Sequence, residues 1–423
     1  MSIDNMDFEG FSFDDFSMEL EEFEVKKVRK FDRIWKVTGG GSILNKPVMR
    51  EDVIYFGCMD SHMYAVNART GDEVWRFRTG DRITSSPLLM GGRIFIASFD
   101  GYVYALNMEG RELWNFRTGG EIFGSVSGAN GKVFFGSRDG FVYCLSAETG
   151  EVLWKFRTGD EIASTPAIEG NRVYIGSFDG NFYCLDAETG KEVWRFRTGG
   201  EIFYPGPSLI HRGVVYFASF DNYLYAVDCE TGKEIWRFRT GKYGNTAPPA
   251  VFGDTLFQGS RDGILYALTL EGKEIWRFRA PALIFTPLFY HGRIYVGCED
   301  GNLYCLNLEG REEWRFETDG FVAWSPAASN GRVYFGSGDC HLYCVDAESG
   351  KEIWRFATST SVKSQLPPPY ESFEVSVRKS KSEEEKEEEK YESEIGRETV
   401  ESEYSVRSEY SFKSEYQTKS EYR

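Results

Sequence analysis

Nine tryptophans, Trp35, Trp75, Trp114, Trp154, Trp194, Trp236, Trp276, Trp314 and Trp354, recur every 38–42 residues along a chain of 423 residues. A period of that size announces a repeat architecture and governs every local reading. One unit, EIASTPAIEGNRVYIGSFDGNFYCLDAETGKEVWRFRTG, occupies residues 161–199. It holds four short runs in which apolar residues alternate with small or polar ones, each bounded by turn residues. The runs predict strand A near 163–168 and strand B over 172–176 after Gly-Asn. Strand C follows Asp-Gly over 181–186, and strand D follows Glu-Thr-Gly over 191–197.

Four strands in about 40 residues is the pattern of a β-propeller blade. Such a blade cannot bury both faces alone; neighbours stacked around a ring bury them. Eight sets of strands fall between Ser42 and Ala357. The predicted fold is therefore all-β, an eight-bladed propeller of four-stranded blades with extensions at both ends. The expected organisation is an acidic, Phe-rich extension over 1–30, the propeller over 31–364 and a charged tail over 365–423. A further D-like run at 32–37 competes with the last D strand for the edge of the closing blade, and the sequence leaves that choice open. The recurring tryptophans are expected to pack between blades near the rim.

The consensus D-G-x-x-Y-A/C-L-x-A-x-T-G-x-x-x-W-x-F closely resembles the pyrroloquinoline-quinone-like (PQQ-like) repeat. The resemblance covers about residues 32–357. That family includes quinoprotein alcohol dehydrogenases, the propeller subunit of the outer-membrane protein assembly machinery and sensor domains of kinases, so it implies a fold more than an activity. Catalysis of the family's kind implies a quinone, a calcium ion and an aspartate base. Its dehydrogenases usually carry long inter-blade insertions, a vicinal cysteine pair and an export signal. Here the blades are of minimal length and no Cys-Cys occurs. No catalytic residue, metal ligand or cofactor is expected.

Charge narrows the partners. Net charge is −17, of which residues 1–30 carry −5 and residues 365–423 carry −6. A nucleic-acid partner held by a basic face does not fit that balance. No run approaches the length of apolar chain that spans a membrane. The opening residues, MSIDNMDFEGFSFDDF, are acidic where a secretory signal is basic and then apolar. The expectation is a cytoplasmic protein without membrane contact. Four of the eight cysteines, Cys144, Cys184, Cys305 and Cys344, share a repeat position with Ala65, Ala105, Ala226 and Ala267. They read as small buried filler.

Four features are candidates for function. The D–A loops, at one mouth of the channel, are rich in aromatic and acidic residues: Glu121, Phe123, Glu161, Glu201, Phe203, Tyr204, Tyr243, Phe285, Phe321 and Trp324. They would bind a partner or ligand if exposed, or serve as inter-blade core. Asp60, Asp100, Asp139, Asp179, Asp221, Asp262, Asp300 and Asp339 recur once per blade, where tight-turn chemistry accounts for them. Arginines of the D strands, among them Arg76, Arg78, Arg195 and Arg197, alternate with Trp and Phe and should face outward. They either deter edge-to-edge pairing or form a belt for an acidic segment. Finally, the hexads of residues 402–423 place Tyr404, Tyr410, Phe412, Tyr416 and Tyr422 on one face at period two, which predicts an extended strand that pairs with a partner. Together these features point to a non-catalytic scaffold that holds other proteins, or copies of itself, through its ends. The alternative is a propeller that binds a quinone or another small molecule at the aromatic mouth.

Overall fold

The computed structural model describes residues 41–204 and 206–358, and their regular structure is β throughout. Thirty-two strands make eight antiparallel four-stranded sheets, each an A-B-C-D meander with no strand shared between blades. Strands B and C match the expectation: blade 4 has Arg172–Gly176 and Asn181–Asp186. Strand D begins one residue later than predicted, at Glu192.

Strand A differs more, running only over Ala167–Glu169. The preceding residues bond to neighbouring segments instead. The Ile162 amide donates to the Ser137 carbonyl and the Thr165 amide to the Tyr204 carbonyl. Pro166, which has no N–H, cannot extend the ladder.

The core lies between blades. Tyr55, Met63 and Ala65 of blade 1 pack with Ile94, Ile96 and Leu106 of blade 2, and analogous clusters fill the other interfaces. Blade 8 meets blade 1 in the same way, through Tyr334, Leu342 and Cys344 against Ile54, Phe56 and Val66. The strand at the edge of blade 8 is Glu352–Ala357. The ring thus closes by packing between complete blades. The competing run 32–37 lies outside the described residues.

Seven of the recurring tryptophans clasp the next blade through the indole N–H. The Trp154 indole N–H donates to the Ala187 carbonyl at 3.0 Å, and Trp75, Trp114, Trp194, Trp236 and Trp276 do the equivalent. Trp354 completes the circle by donating to Ala68 of blade 1 at 3.2 Å. Each ring also covers a turn glycine. At Gly190, with φ of +69°, an added Cβ would sit 2.6 Å from the Trp154 ring. Cross-strand register explains the alternation of alanine and cysteine: Ala65 faces Trp75, Cys144 faces Trp154 and Cys184 faces Trp194. A small side chain leaves room for the indole. All eight cysteines are buried and free. Burial pushes the Cys144, Cys184, Cys305 and Cys344 thiols up to about 12, so they remain protonated and unreactive.

Candidate functional site: the channel, its mouth and the rim

At the end carrying the D–A loops, most of the aromatic mouth residues are packed rather than open. Phe123, Phe203, Tyr204, Phe285, Phe321 and Trp324 are all buried, and only Tyr243, at 41% exposure, projects. Phe123 and Phe203 meet at 5.0 Å between ring centroids although blade 4 lies between their blades. Small Ala163 in that blade leaves them room, and Phe99 and Phe178 complete the cluster. A second cluster joins Leu44, Met59, Phe285, Phe321 and Trp324, with Phe285 and Trp324 at 5.1 Å. Tyr243 and Trp324 adopt left-handed backbone, with φ of +82° and +62°. That conformation is uncommon for bulky side chains, and surrounding contacts must hold it.

The acidic mouth residues are engaged as well. Arg138 bridges Glu121 at 2.8 Å and Glu161 at 2.7 Å, while the Glu201 carbonyl accepts the Phe220 amide. Arg138 belongs to a ring the sequence reading missed: Met59, Phe99, Arg138, Phe178, Phe220, Arg261, Glu299 and Gly338. Each immediately precedes a B–C aspartate. The legible signal was a variable position beside a constant one. Arg82 lies over Phe99 at 4.8 Å and Arg261 over Phe220 at 5.6 Å, so this ring knits the mouth together. Burial raises the Glu299 carboxyl, against the opposing charge of Arg261.

The aspartates do more than turn the chain. In seven blades the outer carboxylate oxygen accepts a tyrosine hydroxyl at 2.5–2.7 Å, as from Tyr143 to Asp139 and from Tyr183 to Asp179. The other oxygen accepts the amide two residues on. Gly80, Gly119, Gly159 and Gly199, in the incoming D–A loops, donate their amides to the same carboxylates. Asp262 departs from the pattern and accepts from the Ser260 hydroxyl. Among the described residues no group of three His, Cys, Asp or Glu is placed to hold a metal ion.

One histidine beside the aspartate ring is held above its ordinary value. His341 Nδ1 lies 3.3 Å from Asp339 Oδ1, and that hydrogen bond raises the imidazole above its usual range against the lowering effects of burial and Arg355. For Asp339, burial pulls the carboxyl upward. The bonds from His341 and Tyr343 outweigh it and leave the group below its usual value. A raised imidazole contributes stability that is fully present below its unfolded value, about 6.5, and is lost as pH rises through the folded value. The depressed carboxyl contributes stability present above about 4 and lost as pH falls through its folded value. The pair should therefore stabilise most between those limits. His341→Asn, which installs the residue found at Asn181 and Asn302, should lower the melting temperature by about 2 °C at pH 6 and by less at pH 9. Thermal melts followed by circular dichroism at the two values check the sign.

Below the mouth the inner strands enclose a channel of about 880 Å3. Leu44 and Trp324 of the second aromatic cluster contribute to its wall. A relay of hydroxyls joins neighbouring blades here. The Lys46 amide donates to Ser86 Oγ at 3.0 Å, the Ser86 amide to Ser125 Oγ at 2.9 Å, and the Ser125 amide to Thr165 Oγ1 at 2.8 Å. Lys46 and Glu169 are the only ionisable side chains among the described residues lining the channel.

The rim is built by the D strands. Every blade has a bulge there. In blade 1, Ala65 pairs with Trp75 and Val66 with Glu73, so Val74 is the extra residue. The bulged residue projects in seven blades: Val74, Leu113, Leu153, Val193, Ile235, Ile275 and Ile353 are 40–53% exposed. Blade 7 has Glu313 instead, paired to Arg293 at 2.5 Å. The bulge also brings Glu and Arg three apart onto one side, and Arg76, Arg195, Arg277, Arg315 and Arg355 pair with the glutamate of their own strand. Arg76, Arg195, Arg277 and Arg315 also lie over tyrosines of strand C. A second row, Arg78, Arg117, Arg157, Arg197, Arg239 and Arg279, ends six successive D strands and is exposed. The tail residues Tyr404, Tyr410, Phe412, Tyr416 and Tyr422 lie outside the described residues.

The family model of the outer membrane protein assembly factor BamB matches residues 24–129 and 299–384. That of the β-propeller of β-alanine-activating enzyme matches residues 125–332. Among solved structures, BamB from Moraxella catarrhalis is similar at 21% identity and a TM-score of 0.61, over 71% of this chain and 97% of that one. The computationally designed protein Ika8 aligns at 16% identity and 0.65, over 73% and 97%. A quinohemoprotein alcohol dehydrogenase from Comamonas testosteroni aligns at 16% and 0.60, over 75% and 74%. At these identities the likeness is one of fold. No curated protein sequence matches the chain.

The quinone implied by some of these folds does not fit the residues present. It is a flat tricarboxylate that needs several cationic partners and an open stacking slot. The described channel wall offers one cation, Lys46, and the aromatic rings at the mouth pack on one another.

Proposed function

The chain is a β-propeller of PQQ-like repeats, and from that premise we propose that it is a non-catalytic scaffold that binds other proteins. The observation that carries this reading is the rim. Seven exposed aliphatic side chains recur at one bulged position, each on a strand with an unpaired edge. A strand edge offers backbone hydrogen bonds to an incoming extended segment, and the aliphatic residue offers it apolar contact. The exposed arginine row favours a partner segment carrying acidic side chains. Likeness to an assembly factor of the outer membrane supports a protein partner in kind, without naming one. The packed mouth supports a non-catalytic reading, because catalysis there would need space that the protein's own side chains fill.

The proposal extends to the ends, with residues 31–364 as the folding unit, residues 1–30 and 365–423 as additional adhesive segments, and the cytoplasm as the setting. The test compares affinity purification by the full-length chain, by residues 31–364 and by a full-length Val193→Lys, Ile235→Lys, Ile275→Lys variant. The rim variant should lose at least about tenfold of the captured partner, because each lysine removes apolar contact and adds repulsion beside the arginines. Loss on truncation alone would assign the binding to the ends. No specific partner with the full-length chain would overturn the scaffold reading.

A further inference from the structure

We propose that the central channel is a binding site for one amphipathic carboxylate, its headgroup held by the Lys46 ammonium and the Ser86 hydroxyl and its hydrocarbon body laid against the inner strands. This site is separate from the rim and does not depend on it.

Three observations carry the inference. The first is space: about 880 Å3 lies within the range of small-molecule pockets, and Leu88, Val126, Ile168, Val251 and Leu288 give it an apolar wall. The second is the charge pattern. Lys46 is the one cation in that wall, and no described carboxylate pairs with its side chain. Its side chain is exposed, but to the interior of the channel, where burial lowers the ammonium from its ordinary value. Glu169 stands opposite in sign but far along the axis. The relay sets Lys46 and Thr165 at one level, and Glu169 is four residues further on, about 13 Å at ~3.3 Å per residue. The third is donor geometry. Ser86 Oγ accepts the Lys46 amide at 3.0 Å, which leaves its own proton to donate. The Lys46 ammonium is the one cation of a wall whose relay hydroxyls, Ser86 among them, have protons to donate, and that combination selects an anion.

The class of anion follows from the count. One ammonium neutralises one negative charge. A phosphate dianion would leave a charge uncompensated in low-dielectric surroundings, which is strongly unfavourable. Glu169 repels a second carboxylate at the far end. A monocarboxylate with an apolar body satisfies the headgroup and the wall together, and medium-chain fatty acids are the simplest probes of that chemistry.

The experiment is calorimetric titration of the full-length chain with octanoate, octanol and octylammonium. Octanoate should bind saturably at one per chain, octanol at least about tenfold more weakly, and octylammonium not measurably. Lys46→Met should weaken octanoate at least about tenfold and leave octanol unchanged, while Lys46→Arg should stay within about threefold of the parent. Near-UV circular dichroism of each variant confirms the fold. Equal affinity for octanoate and octanol, undiminished binding by a folded Lys46→Met chain, or no saturable binding of octanoate in the low-millimolar range would each overturn the proposal.

Discussion

Trp154→Ala should destabilise the propeller by about 4 kcal/mol, the cost of emptying a core position of its largest side chain. The indole is only 9% exposed, packs with Phe134 at 5.8 Å between centroids and covers Gly190 of the next blade. Its loss opens a void between blades 3 and 4 and leaves the Ala187 carbonyl without its donor. Denaturant unfolding followed by far-UV circular dichroism measures the loss. A phenylalanine series then separates packing from hydrogen bonding. Trp314 occupies the equivalent position in blade 7, but its indole N–H is buried without an acceptor, while Tyr295 donates to the Ala347 carbonyl there at 2.8 Å. Trp154→Phe should therefore cost about 1 kcal/mol more than Trp314→Phe. Equal costs would show that the clasp works through packing alone.

Asp179→Ala should cost about 3 kcal/mol, more than a surface turn residue normally would. Its carboxylate accepts the Tyr183 hydroxyl at 2.5 Å and the amides of Gly159 and Asn181 at 2.8 Å. Burial and that carboxylate push the Tyr183 phenol up to about 12, so it remains a donor at neutral pH. Alanine strands these donors and unties the incoming D–A loop from the B–C turn. The Gly159 amide can turn to water, which limits the loss. Asp179→Asn keeps one carbonyl oxygen and the size of the side chain, so its melting temperature should fall between those of the parent and the alanine variant. A loss under about 0.5 kcal/mol for Asp179→Ala would reduce the aspartate to a turn former.

Much of this fold is local and therefore legible. A period-two run between turn residues specifies a strand wherever it occurs, which is why Arg172–Gly176 and Asn181–Asp186 were predicted to the residue. Strand A was misplaced because its residues answer to neighbouring segments: Ile162 and Thr165 spend their amides on Ser137 and Tyr204. The mouth was half legible. Its aromatic character could be read, but whether Phe123 faces solvent or Phe203 depends on Ala163 in the blade between them. Lys46 gave no signal, since Asn45-Lys46-Pro47 reads as any polar loop.

By itself, then, the sequence determined the repeat, the four strands in each unit, their number and the position of each tryptophan and aspartate, because these rest on period, turn chemistry and side-chain size. Tertiary structure alone decided what depends on closing the ring. Closure matches Trp354 to Ala68, 286 residues away. It packs the mouth shut, and the stacking of blades ties Asp100, Asp139, Asp179 and Asp221 to incoming loops. It also gathers inner strands around a space whose wall carries one lysine and, further along, one glutamate. The physical reason is that a blade's own contacts lie within about forty residues of chain, whereas burial, charge compensation and cavity shape are properties of surfaces that meet only when the first blade reaches the last.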